Sequence, residues 1–104
     1  MSKLVPQEID KYANETFFIG GDISLVKEDS EIIALSGSSV AATDKRGEPS
    51  NVIDQNTLEL ANSATVLKAR LSGGTPQLSP YIVTFYMKTS LDNLWGVRFE
   101  ITVI

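Results

Sequence analysis

The chain has 104 residues, of which 42% are hydrophobic and 21% are charged, so it can form one soluble domain around a single core. Its net charge is −4 and its pI is near 4.6. Because binding to nucleic acid or to anionic lipid needs basic patches, we expect neither partner. No apolar run is long enough to span a bilayer and no signal peptide is expected, so we expect no membrane partner.

The residue inventory removes most catalytic chemistry. The chain contains no cysteine and no histidine. Serine nucleophiles therefore lack their usual base, and only carboxylates remain as strong metal ligands. The sequence predicts a protein that is not an enzyme and that holds no metal and no cofactor.

The first fifteen residues are expected to form an arm, followed by one domain over residues 16–104. Residues 1–6 are expected to be a loose end. Residues 7–13 fit a helical turn that begins after Pro6, and they fit equally well an extended arm laid against the domain. Both alternatives remain open from the sequence.

Short apolar runs separated by turn signals follow the arm. Strands are predicted at 16–19, 23–26, 32–35 and 57–60. Gly20, Gly21 and Asp22 predict a turn after the first of these runs. Residues 44–56 form the longest polar stretch, with little but Val52 and Ile53 to bury, and they predict an exposed loop.

The C-terminal forty residues alternate strictly between apolar and polar side chains. This period of two predicts strands with one buried and one wet face. The inward residues are Leu67, Ala69 and Leu71 in one strand, Tyr81, Val83, Phe85 and Met87 in the next, and Trp95, Val97, Phe99, Ile101 and Val103 in the last. We expect these strands to form an antiparallel meander, whose bare apolar face needs a second layer.

Together these elements amount to about seven short strands without a long helical pattern. Such a sequence predicts an all-β fold, an immunoglobulin-like antiparallel β-sandwich. Trp95 is expected to fill the core. Tyr81, which follows Pro80 at a strand start, is expected to bond the upstream backbone, as a tyrosine at such a corner does in these sandwiches.

Candidate ligand sites are weak. The glycine pairs at 20–21 and 73–74 are not followed by the helix that a phosphate loop needs, so they are interpreted as turns. Glu28, Asp29 and Glu31 lack the spacing of a calcium loop and are interpreted as a solvated acidic turn. Nothing places the carboxylates of the 44–56 loop across a cleft, as a glycosidase would require.

A protein interface is the better candidate. Ile82, Thr84 and Tyr86 are predicted on the outward face of one strand, where an exposed apolar and aromatic pair suits a partner. The arm and the polar loop offer further contact surfaces. The candidate interface residues are Tyr12, Arg46, Glu48, Ile82, Thr84 and Tyr86.

The C-terminal part also resembles a known family. The resemblance rests on Ala64-Thr65-Val66, Leu71-Ser-Gly-Gly-Thr75, Tyr81-Ile-Val-Thr84, Thr89-Ser90 and Phe99-Glu-Ile-Thr-Val103, with a weaker match at Asp22-Ile23-Ser24. These motifs are similar to those of small phage and prophage structural proteins known as fiber-tail adaptors. The chain departs from the family at Leu91–Leu94, where a Gly or Arg-Thr turn is usual, and it lacks an early Trp.

The resemblance implies a virion component with an immunoglobulin-like fold that joins tail or head-completion parts. Its expected partners are other virion proteins and further copies of itself, and its expected location is the virion, assembled in the bacterial host cytoplasm. The alternative is a carbohydrate- or surface-binding module of the immunoglobulin or fibronectin type. In that case Tyr12, Tyr86 and Trp95 are the aromatic residues available to a sugar.

Overall fold

Two β-sheets make up the described part of the chain, residues 7–104 of a computed structural model. The N-terminal residues predicted as a loose end lie outside it. The strands are β1 (Gln7–Lys11), β2 (Phe17–Asp22), β3 (Ile33–Thr43), β4 (Ile53–Ala61), β5 (Val66–Leu71), β6 (Tyr81–Thr89) and β7 (Leu94–Val103). A 3₁₀ turn at Pro76–Leu78 precedes β6. No helix between Gln7 and Ile104 is long and apolar enough to cross a membrane.

The strand order is that of an immunoglobulin-like sandwich. The larger sheet has the order β1-β7-β6-β3 and the smaller sheet the order β2-β5-β4. Strand pairing is antiparallel except between β1 and β7, which run parallel. In the seven-strand immunoglobulin arrangement the third, sixth and seventh strands share one sheet, and the second, fourth and fifth share the other. The predicted fold class is confirmed.

The core lies between the sheets and is built by the predicted alternation. Every second residue of β6 and β7, from Tyr81 to Met87 and from Trp95 to Val103, is buried. Phe85 and Phe99 meet edge to face in its centre, with ring centroids 5.7 Å apart, a favoured geometry for aromatic pairs. Burial of Trp95 confirms its predicted core position.

The predicted meander is wrong in one respect. β6 and β7 form a hairpin, but β5 pairs with β2 and β4 in the opposite sheet. The connection over residues 72–80 therefore crosses from one sheet to the other. Gly73 and Gly74 adopt positive φ in this crossing, as their turn interpretation requires.

The crossing is fixed by Tyr81. Its side chain is buried, and its hydroxyl oxygen accepts a hydrogen bond of 2.9 Å from the backbone N–H of Thr75. This contact confirms the predicted corner, in which a tyrosine at a strand start bonds the upstream backbone.

The N-terminal half differs more from the sequence predictions. Residues 7–11 are extended, as β1 along β7, and not a helical turn. Residues 23–26 are a turn and not a strand, with Val26 N–H donating to Ile23 C=O at 3.0 Å. Gly20 and Gly21 lie inside β2 and not in a turn. A Cβ at Gly20 would come within 3.0 Å of the Leu67 carbonyl oxygen, so glycine permits close approach of β5.

The polar stretch 44–56 is only partly a loop. A tight turn follows β3 and is held by a bridge between Thr43 and Pro49. Val52 and Ile53 are buried, as expected, and Ile53 already begins β4.

Candidate interaction surfaces

The outward side of the larger sheet, called the outer face below, collects three of the predicted interface residues. Cross-strand register places Ile82 beside Glu100, Thr84 beside Arg98 and Tyr86 beside Gly96. On the other flank of β6 the same three residues lie beside Thr43, Ala41 and Ser39 of β3. Partners in register point to the same side of a sheet. The outward residues of β3 and of the first part of β6 therefore form an uncharged area, called the neutral centre below, with small side chains around one aromatic ring and with Arg98 and Glu100 of β7 at its border.

Tyr86 and Gly96 give this face its shape. The Tyr86 side chain is 44% exposed. A Cβ added at Gly96 would meet nothing within 4 Å, so the position beside the ring is open to solvent. A projecting aromatic side chain next to an open backbone position suits the packing of another protein surface.

Charged residues flank this neutral centre on β7 and β1. Arg98 and Glu100 both point outward from β7, and Glu8 lies beside Glu100 on β1. Among residues 7–104 neither Arg98 nor Glu100 forms a salt bridge. These two charges are therefore free to meet charges on a partner.

The outward side of the smaller sheet, called the second face below, is organised differently. Phe18 of β2 is 40% exposed, but two cations cover its ring. Lys68 Nζ lies 5.1 Å and Arg70 Cζ 5.4 Å from the ring centroid. Lys68 also pairs with Glu59 of β4 at 3.2 Å. Cation–π contacts and an ion pair within the chain thus occupy the side chains of the second face.

A further apolar surface lies at the end of the sandwich where β6 turns into β7. We call it the apolar end. It comprises exposed side chains from three segments, namely Leu25, Ile32, Leu35, Leu91 and Leu94. Hydrogen bonds between the Ile32 and Ser90 segments, at 2.9 and 3.2 Å, join two of these segments. Leu25 is 97% exposed, and clustered exposed aliphatic residues mark contact sites in soluble proteins.

Beneath the apolar end lies Glu31, which corrects the interpretation of residues 28–31 as a solvated turn. Glu31 is fully buried. Its carboxylate accepts hydrogen bonds from Thr89 Oγ1, from Asn93 Nδ2 at 2.8 Å and from the backbone N–H of Glu28 at 2.9 Å. The hydrogen bonds from Thr89 and the Glu28 backbone lower the pKa of Glu31 to about 2, whereas burial raises it. Glu31 therefore joins the β2–β3 connection to the β6–β7 turn.

Trp95 lies in the same region. Its indole N–H also favours the ionised form of Glu31, but it does not reach hydrogen-bonding geometry. Within the part of the chain that the structure describes, Trp95 Nε1 is the buried side-chain polar atom that has no partner.

The opposite end of the sandwich holds a buried cation. Lys11 Nζ donates to the carbonyl oxygens of Gly73 at 2.7 Å and Tyr12 at 2.8 Å. Burial lowers the pKa of Lys11. These contacts attach the end of β1 to the crossing between the sheets.

Arg46 and Glu48 lie in the turn after β3, where Asp44 organises the backbone. Asp44 is buried and accepts from the Arg46 N–H at 2.8 Å and the Glu48 N–H at 3.2 Å. The Arg46 guanidinium also bonds Asp44 at 3.0 Å, and this contact is the main cause of a lowered Asp44 pKa. Arg46 and Glu48 remain exposed.

The six predicted interface residues do not form one patch. Ile82, Thr84 and Tyr86 share the outer face. Arg46 and Glu48 lie beyond its β3 edge, and Tyr12 follows β1 at the other edge. The interface role of all six stays a prediction.

The sequence does not single out Arg98 or Glu100 as partner-binding residues, and it predicts Glu31 in a solvated turn. The alternation of β7 places Arg98 and Glu100 outward. Whether they have an ion-pair partner among residues 7–104 depends on the register of β1 and β6. Glu31 is separated from Thr89 by 58 residues, and no sequence pattern reports such a contact.

Comparison with known proteins finds fold likeness only. No protein-family model and no curated protein matches the chain. Among solved structures, it is similar to the ZIG-8–RIG-5 IG1–IG1 heterodimer, with 10% identity and a TM-score of 0.45 over 97% of this chain and 86% of that one. It is also similar to the ZIG-8 IG1 homodimer, with 9% identity and a TM-score of 0.45 over 100% of this chain and 85% of that one.

Proposed function

We propose that the protein is a non-enzymatic assembly module that binds other proteins through its outer face. The observation that supports this most strongly is the uncharged centre of that face, formed by Ile82, Thr84 and Tyr86 beside the open position at Gly96. Uncharged side chains around a projecting tyrosine lose little free energy on desolvation.

The setting we propose is a phage or prophage virion, with a tail-fiber adaptor or head–tail completion role. The C-terminal motifs that resemble fiber-tail adaptors support it. They correspond in the structure to the crossing between the sheets, β6, the β6–β7 turn and β7, which together carry most of the outer face. The protein would then be assembled into particles in the bacterial cytoplasm.

An adaptor must bind two components, and the chain offers two surfaces. The outer face lies along the strands, whereas the apolar end lies across the tip and meets the outer face at Leu94, which is beside Lys88. A module with one binding surface on its side and one at its tip can join two neighbours without covering itself.

The alternative, a carbohydrate-binding module, has less support. Trp95, one of its three candidate aromatic residues, is buried. Tyr86 lies level with Gly96 of β7, whereas Tyr12 lies beyond the position level with Val103. At 3.3 Å per residue they are about 26 Å apart along the strand, too far for one sugar ring.

Complementation tests the virion role. The gene is deleted from the prophage that carries it, and plasmid copies are supplied during induction. We expect the wild type and Asn56→Arg, at an exposed position on β4, to restore infectious particles that contain the protein. Gly96→Arg should fold, because its position is open, but should restore few or none.

Two results would contradict the proposal. If purified particles lack the protein, it is not a virion component. If Gly96→Arg complements as well as Asn56→Arg, the outer face does not bind a virion partner.

A further inference from the structure

The charges of the outer face are separated along the strand direction. At one end Glu8 and Asp10 of β1 lie beside Glu100 and Thr102 of β7. Toward the other end lie Arg98 and Lys88, with Arg98 beside Thr84 and Lys88 beside Leu94. The face is therefore acidic at one end and basic at the other, with the neutral centre alongside.

Most of these charges are not neutralised within the chain. Among residues 7–104, Lys88 has a partner, Asp92 at 3.8 Å, in an exposed pair that contributes little. Arg98, Glu100, Glu8 and Asp10 form no ion pair there. A surface with unpaired charges of both signs can be complementary to itself.

We infer that the outer face binds the outer face of a second copy of this chain, with Arg98 of each copy against Glu100 of the other. This inference rests on the proposed role of the outer face as a binding surface.

Symmetry selects the arrangement. Two identical faces pack by a two-fold axis that lies in the plane between them. An axis parallel to the strands would place acidic end on acidic end, which is unfavourable. An axis perpendicular to the strands reverses one copy, so that each strand lies over its equivalent in the opposite direction and unlike ends meet.

With this axis level with Phe99, each Arg98 faces the partner's Glu100 and the contact occurs twice. At the same level on β6, each Ile82 faces the partner's Thr84, so the neutral centres also meet. The open position at Gly96 then lies over the partner's Thr102, and a small residue there lets the backbones approach.

The size of the face sets the expected affinity. Four strands about 4.8 Å apart and about eight residues long at 3.3 Å per residue give a face of about 500 Å² per copy. This axis leaves only part of β1 and β3 overlapping, because Phe99 is level with Gln7 and Ala42, near the ends of these strands. The buried total is therefore below about 1,000 Å², at the low end for specific complexes. We therefore expect a reversible dimer with a dissociation constant of about 10–100 µM.

Charge reversal gives a direct test by sedimentation velocity from low micromolar to near-millimolar concentration. Arg98→Glu makes both positions 98 and 100 acidic and Glu100→Arg makes both basic, so each variant alone repels its own copy. We expect each to dimerise at least tenfold more weakly than the wild type. An equimolar mixture should form a heterodimer within about threefold of the wild-type affinity.

Controls separate the face from general charge effects. Glu59→Lys reverses an exposed charge on the second face and should dimerise like the wild type. Circular dichroism should show that all the variants fold, since all the substituted side chains point to solvent.

Three results would overturn the inference. They are a wild type that is monomeric throughout the concentration range, single variants that dimerise as well as the wild type, and a mixture that does not recover the wild-type affinity. A monomeric wild type together with loss of complementation by Gly96→Arg would show that the outer face binds a different protein, so the proposed function would stand while this inference falls.

Discussion

The two outward sheet faces contain similar residues in different arrangements. Each has one half-exposed aromatic residue near basic and acidic side chains. On the second face Lys68 and Arg70 lie over the Phe18 ring, and Lys68 also pairs with Glu59. On the outer face the Tyr86 ring lies beside an open glycine, and Arg98 and Glu100 have no ion-pair partner in residues 7–104.

The difference shows that residue type alone does not define a binding surface. The side chains of the second face interact with one another, so a partner would have to replace existing contacts. Those of the outer face are available, so a partner adds contacts without breaking any. The following substitutions are chosen to separate the two faces.

Truncating a core side chain should affect both faces, because they share one core, and should lower stability the most. Phe85 is fully buried against Phe99. Phe85→Ala should lower the free energy of unfolding by about 3–5 kcal/mol, as phenylalanine truncations in cores do. Urea denaturation followed by circular dichroism measures this. A loss below about 1 kcal/mol would mean that the sheets do not pack as described.

Replacing Glu31 should lower the stability of the fold without changing either face. Its pKa is lowered from 4.5 to about 2, so its ionised form stabilises the folded state above about pH 4.5, and this contribution is lost as the pH falls through 2. Glu31→Gln should lower the melting temperature at pH 7, and the difference from the wild type should shrink between pH 4.5 and pH 2. Asp29→Asn, exposed in the same turn, is the matched control and should show little difference at either pH.

Substituting one glycine on each face tests how closely the backbone of each face is packed. Gly20→Ala should cost about 1–3 kcal/mol, because the new Cβ would lie 3.0 Å from the Leu67 carbonyl oxygen and the Lys68 Cβ. Gly96→Ala should be neutral or slightly stabilising, because its position is open. Chemical denaturation of both variants checks this. Equal effects would show that the two faces do not differ in packing.

Truncating Phe18 and Tyr86 in turn should separate effects on stability from effects on self-association. Phe18→Ala should cost about 1 kcal/mol through loss of its cation–π contacts, with self-association unchanged. Tyr86→Ala should cost less stability and should weaken dimer formation at least tenfold. Denaturation and sedimentation of the same samples measure both properties. The opposite pattern would assign binding to the second face.

Period-two alternation predicted β6 and β7 in detail, because a strand buried on one side must alternate. The faces of β5 were also correct, but its sheet was not, since alternation identifies the buried side and not the neighbouring strand. The residues at 72–80 predict a turn, and this prediction is the same for a hairpin and for a crossing between sheets.

The errors in the N-terminal half have a similar origin. Ile23 is buried, but it belongs to a turn, because a short apolar run fits a strand or any buried segment. Gly20 and Gly21 resembled a turn, although they allow β2 to approach other strands closely. Burial of Glu31 depends on Thr89 and Asn93, which only the folded chain brings close to it.

The most direct measurement is site-specific photo-crosslinking from matched positions on the two faces. A benzophenone amino acid is placed at Tyr86 or at Phe18, which are 44% and 40% exposed, and the protein is irradiated in the cells that carry its gene. We expect cross-linked products from Tyr86, including one of twice the monomer mass, and few or none from Phe18. Equal cross-linking from both positions, or products from Phe18 alone, would contradict the assignment of binding to the outer face.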